Sequence, residues 1–589
     1  MVVEQWRLEV PDCPPEAVAR LRAQLHVSAA LAQVLVRRGM GDTRDARAFL
    51  QCTESHPPSG FAGLDDALAL LGEHLAGASR ITVHGDYDVD GVCATAILVR
   101  ALRALGADVD WFLPDRAGDG YGLSMGTVER LAERGTRLLV TVDCAVGAVE
   151  EVAAARSLGM DVLVTDHHSP RADGRVPRAP IVHPALCGYP CRDLCAAAVA
   201  YKLAQALFAQ HPAGALAPAV AADLEQDLDL VALATIADVV SLTGENRTLA
   251  ARGLRRLAST GKPGLRALMA QSGVNAAQVD ERAVAFALAP RLNAAGRLYH
   301  ADAALELLLT EDPARAEAVA RELDAANGER REVERRIRFE AEAQMAQLGE
   351  QPAYVLAADG WHAGVTGIVA SRLVELSGRP VVLIALEGER GRGSGRSIEA
   401  FDLLEGLTAC APHLLRYGGH RAAAGLEIER SAVEGFSRAL REHAREALAR
   451  EQLLAVERVD AVVGGEEIGM GLAEELARLA PFGRGNPRPT LLVSDATFAG
   501  VRAMGEGRHA RFDVRSHGVS ASAVAFGAGV RLGVGEGEPA CATFSLEVNE
   551  WRGVSEPRLV LRRAQPAASP QDAAGAESSP EQPAELVLF

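Results

Sequence analysis

The chain has 589 residues, 48% of them hydrophobic and 24% charged, the balance of a globular protein with several separately cored domains rather than a fibrous or disordered one. A formal net charge of −17 excludes a uniformly basic nucleic-acid binder but leaves room for a local basic groove, because carboxylates that hold cations count in that total. The N-terminus (M-V-V-E-Q-W-R-L-E-V) lacks a signal-peptide layout, no apolar run reaches about 18 residues, and the nine cysteines are scattered, so no membrane association and a reducing cytoplasm are expected.

Residues 1–55 read as a helical segment, with L-A-Q-V-L-V-R-R-G-M-G-D ending at glycine and Thr43 opening a second short helix. Residues 56–308 alternate strand and helix: strand Arg80–His84, helix Val92–Leu105, strand Asp108–Leu113, helix Ser124–Arg134, strand Arg137–Val142, helix Val146–Leu158 and strand Asp161–Thr165. That spacing predicts a parallel sheet with right-handed crossovers, completed by a mainly helical stretch. Residues 309–350 are helix-favouring and dense in charge, which suits a long connecting helix or a solvated coiled-coil arm. A second α/β unit follows at 351–450, with glycine-rich turns at G-R-G-S-G-R-S and Y-G-G-H. Residues 455–565 change to short alternating strands, the pattern of a small β-barrel or sandwich. The tail, 566–589, has a composition that predicts disorder, and its apolar end Leu586–Phe589 is either a docking peptide or a plain chain end.

The chemistry concentrates at R-I-T-V-H-G-D-Y-D-V-D-G, where a β-branched run empties into His84, Asp86, Asp88 and Asp90. Carboxylates that close raise one another's pKa, so a cation is expected. D-x-D-x-D-G also begins a calcium loop, but that loop needs an acid at its twelfth position, which is Ile97 counting from Asp86. Later elements end in kind: Leu138–Val142 at Asp143, Val162–Thr165 at Asp166-His167-His168, and a buried-looking apolar helix at Asp238. Sheet topology brings such strand ends together. Carboxylate and imidazole without thiolate suit Mn²⁺ or Mg²⁺, and the donors suffice for two ions sharing a carboxylate, as in phosphoryl transfer.

H-G-D-Y-D-V-D-G, V-T-V-D-C-A-V-G, V-T-D-H-H and A-T-I-A-D-V-V resemble the four motifs of the DHH phosphoesterase superfamily. Within it, A-P-R-L-N-A-A-G-R (289–297), W-H-A-G-V-T-G-I-V-A-S-R (361–372), Y-G-G-H-R-A-A-A-G-L (417–426) and P-F-G-R-G-N-P-R-P (481–489) resemble segments of the bacterial 5′→3′ exonucleases specific for single-stranded DNA. The resemblance implies an α/β architecture, in which a DHH parallel-sheet domain is joined by a long helix to a DHHA1-type domain and followed by an OB-like barrel. It implies His84, Asp88 and Asp143 as ligands of one ion and Asp90, Asp143, His167 and Asp238 as ligands of the other, with Asp86 and Asp166 in support and His168 acting on the scissile phosphate. It further implies release of 5′-mononucleotides in DNA recombination and repair, beside a single-strand-binding protein and a repair helicase. A DHH-family nanoRNase and a non-catalytic DNA-binding scaffold are the alternatives; the barrel region counts against the first and the intact motifs against the second.

For the 5′ end, G-R-G-S-G-R-S offers Ser394, Gly395 and Arg396 as a phosphate clamp. The resemblance adds Arg297, and places His420 over the active site. With aromatics at only 4%, Tyr121 and Trp361, the latter followed by His362, stand out as base-stacking candidates. Arg502, Arg508, His509 and Arg511 are candidates for a groove on the barrel.

Overall fold

Strand Ile81–His84 is wholly buried and sits inside a parallel sheet of order 109–112, 81–84, 138–142, 161–165, 181–182. The computed structural model describes residues 6–115, 120–171, 173–210, 224–298, 300–448, 455–551 and 553–567. The predicted tail beyond residue 567, with Leu586–Phe589, therefore lies outside the described residues, and its first residue, Pro566, ends a strand. Every predicted strand and helix of the first α/β region is present, with one informative shift. The helix predicted from Val92 begins at Val89, because the Asp88 side chain accepts from Asp90 N and Gly91 N and caps it. Gly91 admits this tight entry: a Cβ there would meet Asp86 N at 2.6 Å.

Helices cover the sheet with small apolar side chains. Ala94, Ala96, Ile97 and Val99 of Val89–Ala104 share one core with Ala197, Val199 and Leu203 of Ala196–Gln210 and with Leu230, Val231 and Leu233 of Leu228–Ala237. This explains how a chain so poor in aromatics builds its core. Alanine faces let helix backbones approach closely, and branched aliphatics fill the rest.

The charged stretch after residue 309 forms one helix, Pro313–Leu348. Val319 and Leu323 are buried in the first core, while Ile337 and Ala341 are buried in that of the second α/β region. It is therefore a connecting helix seated in two cores, not a solvated arm. The second region has a five-stranded sheet of order 416–419, 423–429, 390–396, 381–387, 354–359. Both stretches read as glycine turns are strands here, Arg390–Arg396 and Arg416–Gly419. In the first, glycine alternates with polar residues, and a Cβ on Gly391, Gly393 or Gly395 would come within 2.6–2.8 Å of Ile384, Leu426 or Leu403. The glycine face is thus pressed on the core, and Arg392, Ser394 and Arg396 take the opposite face.

The described residues divide into two compact units, one of Cys52–Ala455 with Pro481–Asn486, the other of Trp6–Gln51 with Val456–Ala480 and the described part of Pro487–Phe589. In the second, strands Leu491–Met504, His509–Ser516, Val519–Ala525, Val554–Pro566 and Pro539–Trp551 pair in that order, and Leu491–Met504 also pairs with Pro539–Trp551, closing a five-stranded barrel. Phe498, Phe512 and Phe544 fill it. The N-terminal helices belong to this barrel unit: strand Trp6–Glu9 pairs with Ala455–Arg458, and Arg38 grips Asp460 at 2.9 and 3.1 Å. Asp460 also accepts from Thr490 N at 2.9 Å, so one partly buried carboxylate ties three segments. Arg38→Ala leaves that carboxylate short of its charged partner and is expected to cost the barrel unit about 1.5–3 kcal/mol. The check is a lower unfolding midpoint with an unchanged response to Mn²⁺.

Candidate metal centre and phosphate cleft

Three neighbouring parallel strands discharge their motifs at one edge, since 81–84 pairs with 138–142 and 138–142 with 161–165. Asp238 arrives from above as the C-cap of the apolar helix Leu228–Ala237. A carboxylate at a helix C-terminus faces the negative end of the helix dipole, so this placement is favourable only beside positive charge. Asp143, Ala145 and Val239 all have left-handed backbone, at φ 62°, 82° and 57°. Such strain costs about 1–3 kcal/mol per residue and collects where function over-determines the geometry.

Three sets of donors converge among the described residues, each with ligand atoms within 4.8 Å of one another: Asp86 with Asp88 and Asp143; Asp90 with His167 and Asp238; and Asp143 with His167 and His168. Asp143 and His167 each belong to two of these sets, and of the two only the carboxylate, with two oxygens, can be shared between ions. His167 Nε2 lies 3.1 Å from Asp143 Oδ1, 3.6 Å from Asp90 Oδ2 and 3.9 Å from Asp238 Oδ2. Asp143 Oδ1 and His167 Nε2 are buried without a hydrogen bond, a costly arrangement unless a cation sits between them. Burial pushes the Asp143 carboxyl well above its ordinary range, with Asp90, Asp88 and Asp86 adding to the effect. Burial and Asp88 hold Asp90 at about 7, and burial and Asp90 hold Asp238 at about 8. Burial also lowers His167 to about 3, which keeps the imidazole neutral. Neutral imidazole and crowded carboxylates are the ligand states that divalent cations demand, so the residues fit the ions that the sequence reading called for.

The supporting residues are equally specific. Asp90 accepts from Ala196 N and Ala197 N at 2.7 and 2.8 Å, held by the first turn of a helix. Asp166 spends its oxygens on Val146 N, His167 N, His168 N and His168 Nδ1, the arrangement of an orienting carboxylate. Burial opposes its ionisation, and the bonds from His168 and Val146 overcome that and leave its pKa lowered. Burial likewise opposes charge on His168, but Asp166 lifts that ring to about 9. His183 donates from Nε2 to His168 O at 2.8 Å while its Nδ1 accepts from Ala185 N, which fixes its tautomer; sequence reasoning missed it, since a histidine within H-P-A-L looks like a loop residue.

The structure alters several expectations. Asp86, expected only in support, shares a donor set with Asp88 and Asp143. His84 is fully buried on the same strand end, its Nδ1 at 3.5 Å from Cys144 Sγ. Tyr121 is exposed as a stacking residue would be, yet its hydroxyl lies 3.1 Å from His168 Nδ1 and donates to Asp143 O at 3.3 Å, so it stands at the metal centre itself. Trp361 is not a stacking surface: its ring is buried and Nε1 donates to Glu340 Oε2 at 2.7 Å, because the helix starting at Ala363 seats it against Ile337 and Val365. His362 caps that helix, its Nδ1 accepting from Gly364 N.

Beside the metal centre, a cleft of about 640 Å³ is lined by Tyr87, Tyr121, Arg297, Ser394, Arg396 and Arg416, among others. Arg297 donates to Gly364 O at 3.0 Å, and Gly296 lets its helix press on the metal loop, since a Cβ there would lie 2.5 Å from Tyr87 O. Gly367 likewise leaves room for Arg396, whose Nη2 would be 2.9 Å from a Cβ. Gly395, expected to turn its amide to the phosphate, is a ladder residue of a strand paired on both sides; its contribution is to leave space. His420 lies exposed in the turn after Arg416–Gly419. Arg392 and Arg416 also line this cleft and were missed: Arg392 was legible, two residues before Ser394 on the same face of one strand, whereas Arg416 comes near only when 416–419 pairs with 423–429 and that strand with 390–396.

A parallel sheet that gathers aspartate and histidine at its strand ends, faced by an α/β domain bearing an arginine cleft, defines a metal-dependent phosphoesterase of the DHH type. The sequence matches the DHH family, N-terminal domain, over residues 80–235, the DHHA1 domain over 350–446 and the RecJ OB domain over 459–563. The single-stranded-DNA-specific exonuclease RecJ of Bacillus subtilis is 37% identical over 95% of this chain and 70% of its own length, and that of Dickeya dadantii is 36% identical over 95% and 97%. The crystal structure of RecJ in complex with Mn²⁺ from Thermus thermophilus matches with a TM-score of 0.83 at 34% identity, covering 96% of this chain and 80% of that one; the Mg²⁺ complex from the same organism matches at 0.76. The chain belongs to the RecJ family of single-stranded-DNA-specific exonucleases.

Adding Mn²⁺ is expected to raise the melting temperature by mass action, about 2.7 kcal/mol at a hundredfold excess over the dissociation constant. Asp143→Ala should abolish most of that rise together with hydrolysis, as followed by thermal melts against a Mn²⁺ titration.

Proposed function

We propose that this chain is a Mn²⁺- or Mg²⁺-dependent exonuclease that degrades single-stranded DNA from the 5′ end, releasing 5′-mononucleotides in DNA recombination and repair. The observation that carries the reading is the pairing of a two-ion donor set with a separate arginine–serine cleft, because cleavage one nucleotide from an end requires both a reaction centre and a stop for the terminal phosphate. His84, Asp86, Asp88 and Asp143 would hold one ion, and Asp90, Asp143, His167 and Asp238 the other. Bound there, two such ions would supply acidification of an attacking water and charge neutralisation at the phosphate.

The chain's own residues do the rest. Asp166 accepts from His168 Nδ1 and orients that ring, which acts on the scissile phosphate by hydrogen bonding or proton transfer. The Tyr121 hydroxyl hydrogen-bonds with that ring. Arg297, Ser394 and Arg396, with Arg392 and Arg416, take the 5′-phosphate through charge-assisted bonds. On the barrel, Arg502 and Arg511 are cross-strand neighbours, a like-charge pair that is relieved by a phosphate backbone. Among the described residues no helix is long and apolar enough to cross a membrane; a single-stranded DNA substrate is consistent with work in the bacterial cytoplasm, and a single-strand-binding protein and a repair helicase are the partners we propose.

Single strands labelled at either end, incubated with and without Mn²⁺, test the reading: mononucleotides should appear from the 5′ end and only with metal, and release from the 3′ end would sink it. Arg396→Ala should weaken use of 5′-phosphorylated strands by about 1.5–3 kcal/mol while 5′-hydroxyl strands change little, as read from kcat/KM on the two substrates. Equal loss on both would remove the clamp assignment.

A further inference from the structure

The helix that carries Arg297 is continuous from Glu281, running as Glu281–Ala283, a π-helical turn Val284–Leu288, and Ala289–Leu298. Arg282, Phe286, Pro290, Asn293 and Arg297 recur at helical spacing along one side of it. One end of that stripe has defined neighbours. Asn293 Oδ1 accepts from Val89 N at 3.0 Å, which sets this side of the helix against the metal loop, and Arg297 lines the phosphate cleft. Further along, Phe286 is 78% exposed, the most exposed large hydrophobic side chain among the described residues, and Arg282 beyond it is also exposed.

An isolated phenylalanine so exposed forfeits most of its burial energy, about 1.5–3 kcal/mol, at a position where any polar residue would suit the helix. The backbone beneath it is also unusual. A π-turn interrupts the α-helical ladder there, and Arg291 donates to Ala287 O at 2.7 Å within it. π-turns cost regular hydrogen bonding and occur frequently at functional sites. Here the wider turn presents Phe286 outward without carrying it to the opposite side of the helix.

From Arg297 through Asn293 to Phe286 and Arg282 the stripe leads from the 5′-phosphate cleft, past the metal loop, and onward over about 20 Å of helix. We infer that Phe286 is a nucleobase-stacking residue for the strand on the 3′ side of the cleavage point, with Arg282 contacting the backbone beyond it. The inference rests on the single-stranded-DNA exonuclease reading and deepens it. The occupant fits the chemistry of the stripe: a π-face for any base, flanked by arginines, is how single strands are held without sequence preference. A role in protein docking would call for a wider apolar patch around Phe286, whereas its neighbours on the stripe are arginine, proline and asparagine.

The test uses the full chain, Phe286→Ala and Phe286→Tyr, with a 5′-phosphorylated dinucleotide and a long single strand as substrates. The dinucleotide ends before Phe286, so the alanine variant should hydrolyse it as the wild type does. On the long strand the alanine variant should bind about tenfold more weakly, and tyrosine, which keeps the ring, should restore binding. In the Asp143→Ala background, 2-aminopurine moved stepwise from the 5′ end should be quenched at an interior position, and that quench should vanish in the Phe286→Ala double variant. Equal loss on both substrates, no loss on either, or quenching that persists without the ring would overturn the inference. Failure of the wild type to degrade the long strand would instead overturn the function on which it rests.

Discussion

Asp90, Asp143 and Asp238 are held around one neutral imidazole, and the rest of the catalytic unit is arranged to make that possible. Carboxylates this close in a buried pocket cannot all ionise unaided, and burial accordingly holds Asp90 and Asp238 at about 7 and 8. The fold prepares the site for cations in several ways at once. A helix N-terminus grips Asp90, a helix C-terminus carries Asp238, and left-handed backbone turns Asp143 into the space between the strand ends. The grip on Asp90 favours its charged form, whereas the helix end at Asp238 and the left-handed backbone at Asp143 are unfavourable alone, and divalent cations make the set favourable.

The arginine cleft is the complementary half of the design. It is built on a strand in which alternate residues are glycine, so the sheet lies tightly on its core while Arg392, Ser394 and Arg396 stand on the other face. The connecting helix, seated in both cores through Val319 and Leu323 at one end and Ile337 and Ala341 at the other, fixes the distance between this strand and the metal loop. On the proposed exonuclease reading, that distance would set where a chain held by its 5′ end is cut.

Two glycines show how closely these halves are fitted. Gly296 lets the helix bearing Arg297 rest on Tyr87, and Gly367 gives the Arg396 guanidinium its space. Neither adopts a special backbone angle; each simply lacks a side chain where a neighbour passes. The same helix turns outward at its π-helical segment, where Phe286 replaces burial with exposure.

Much of this was legible in the sequence. Apolar β-branched runs ending in Asp or His define the strands and the ends on which they place their acids, because burial on both faces of a parallel strand leaves little room for polar residues before its end. The small-residue helices, the connecting helix and the barrel strands follow from periodicity, and the motifs carry the family. Tertiary structure alone decided what depends on approach between distant segments: that Asp86 shares a donor set, that Trp361 is core while Tyr121 reaches His168, that Arg416 joins the cleft, and that the N-terminal helices belong with the barrel. Local sequence fixes which way a side chain leaves its own strand or helix. Only packing between elements fixes what it meets there.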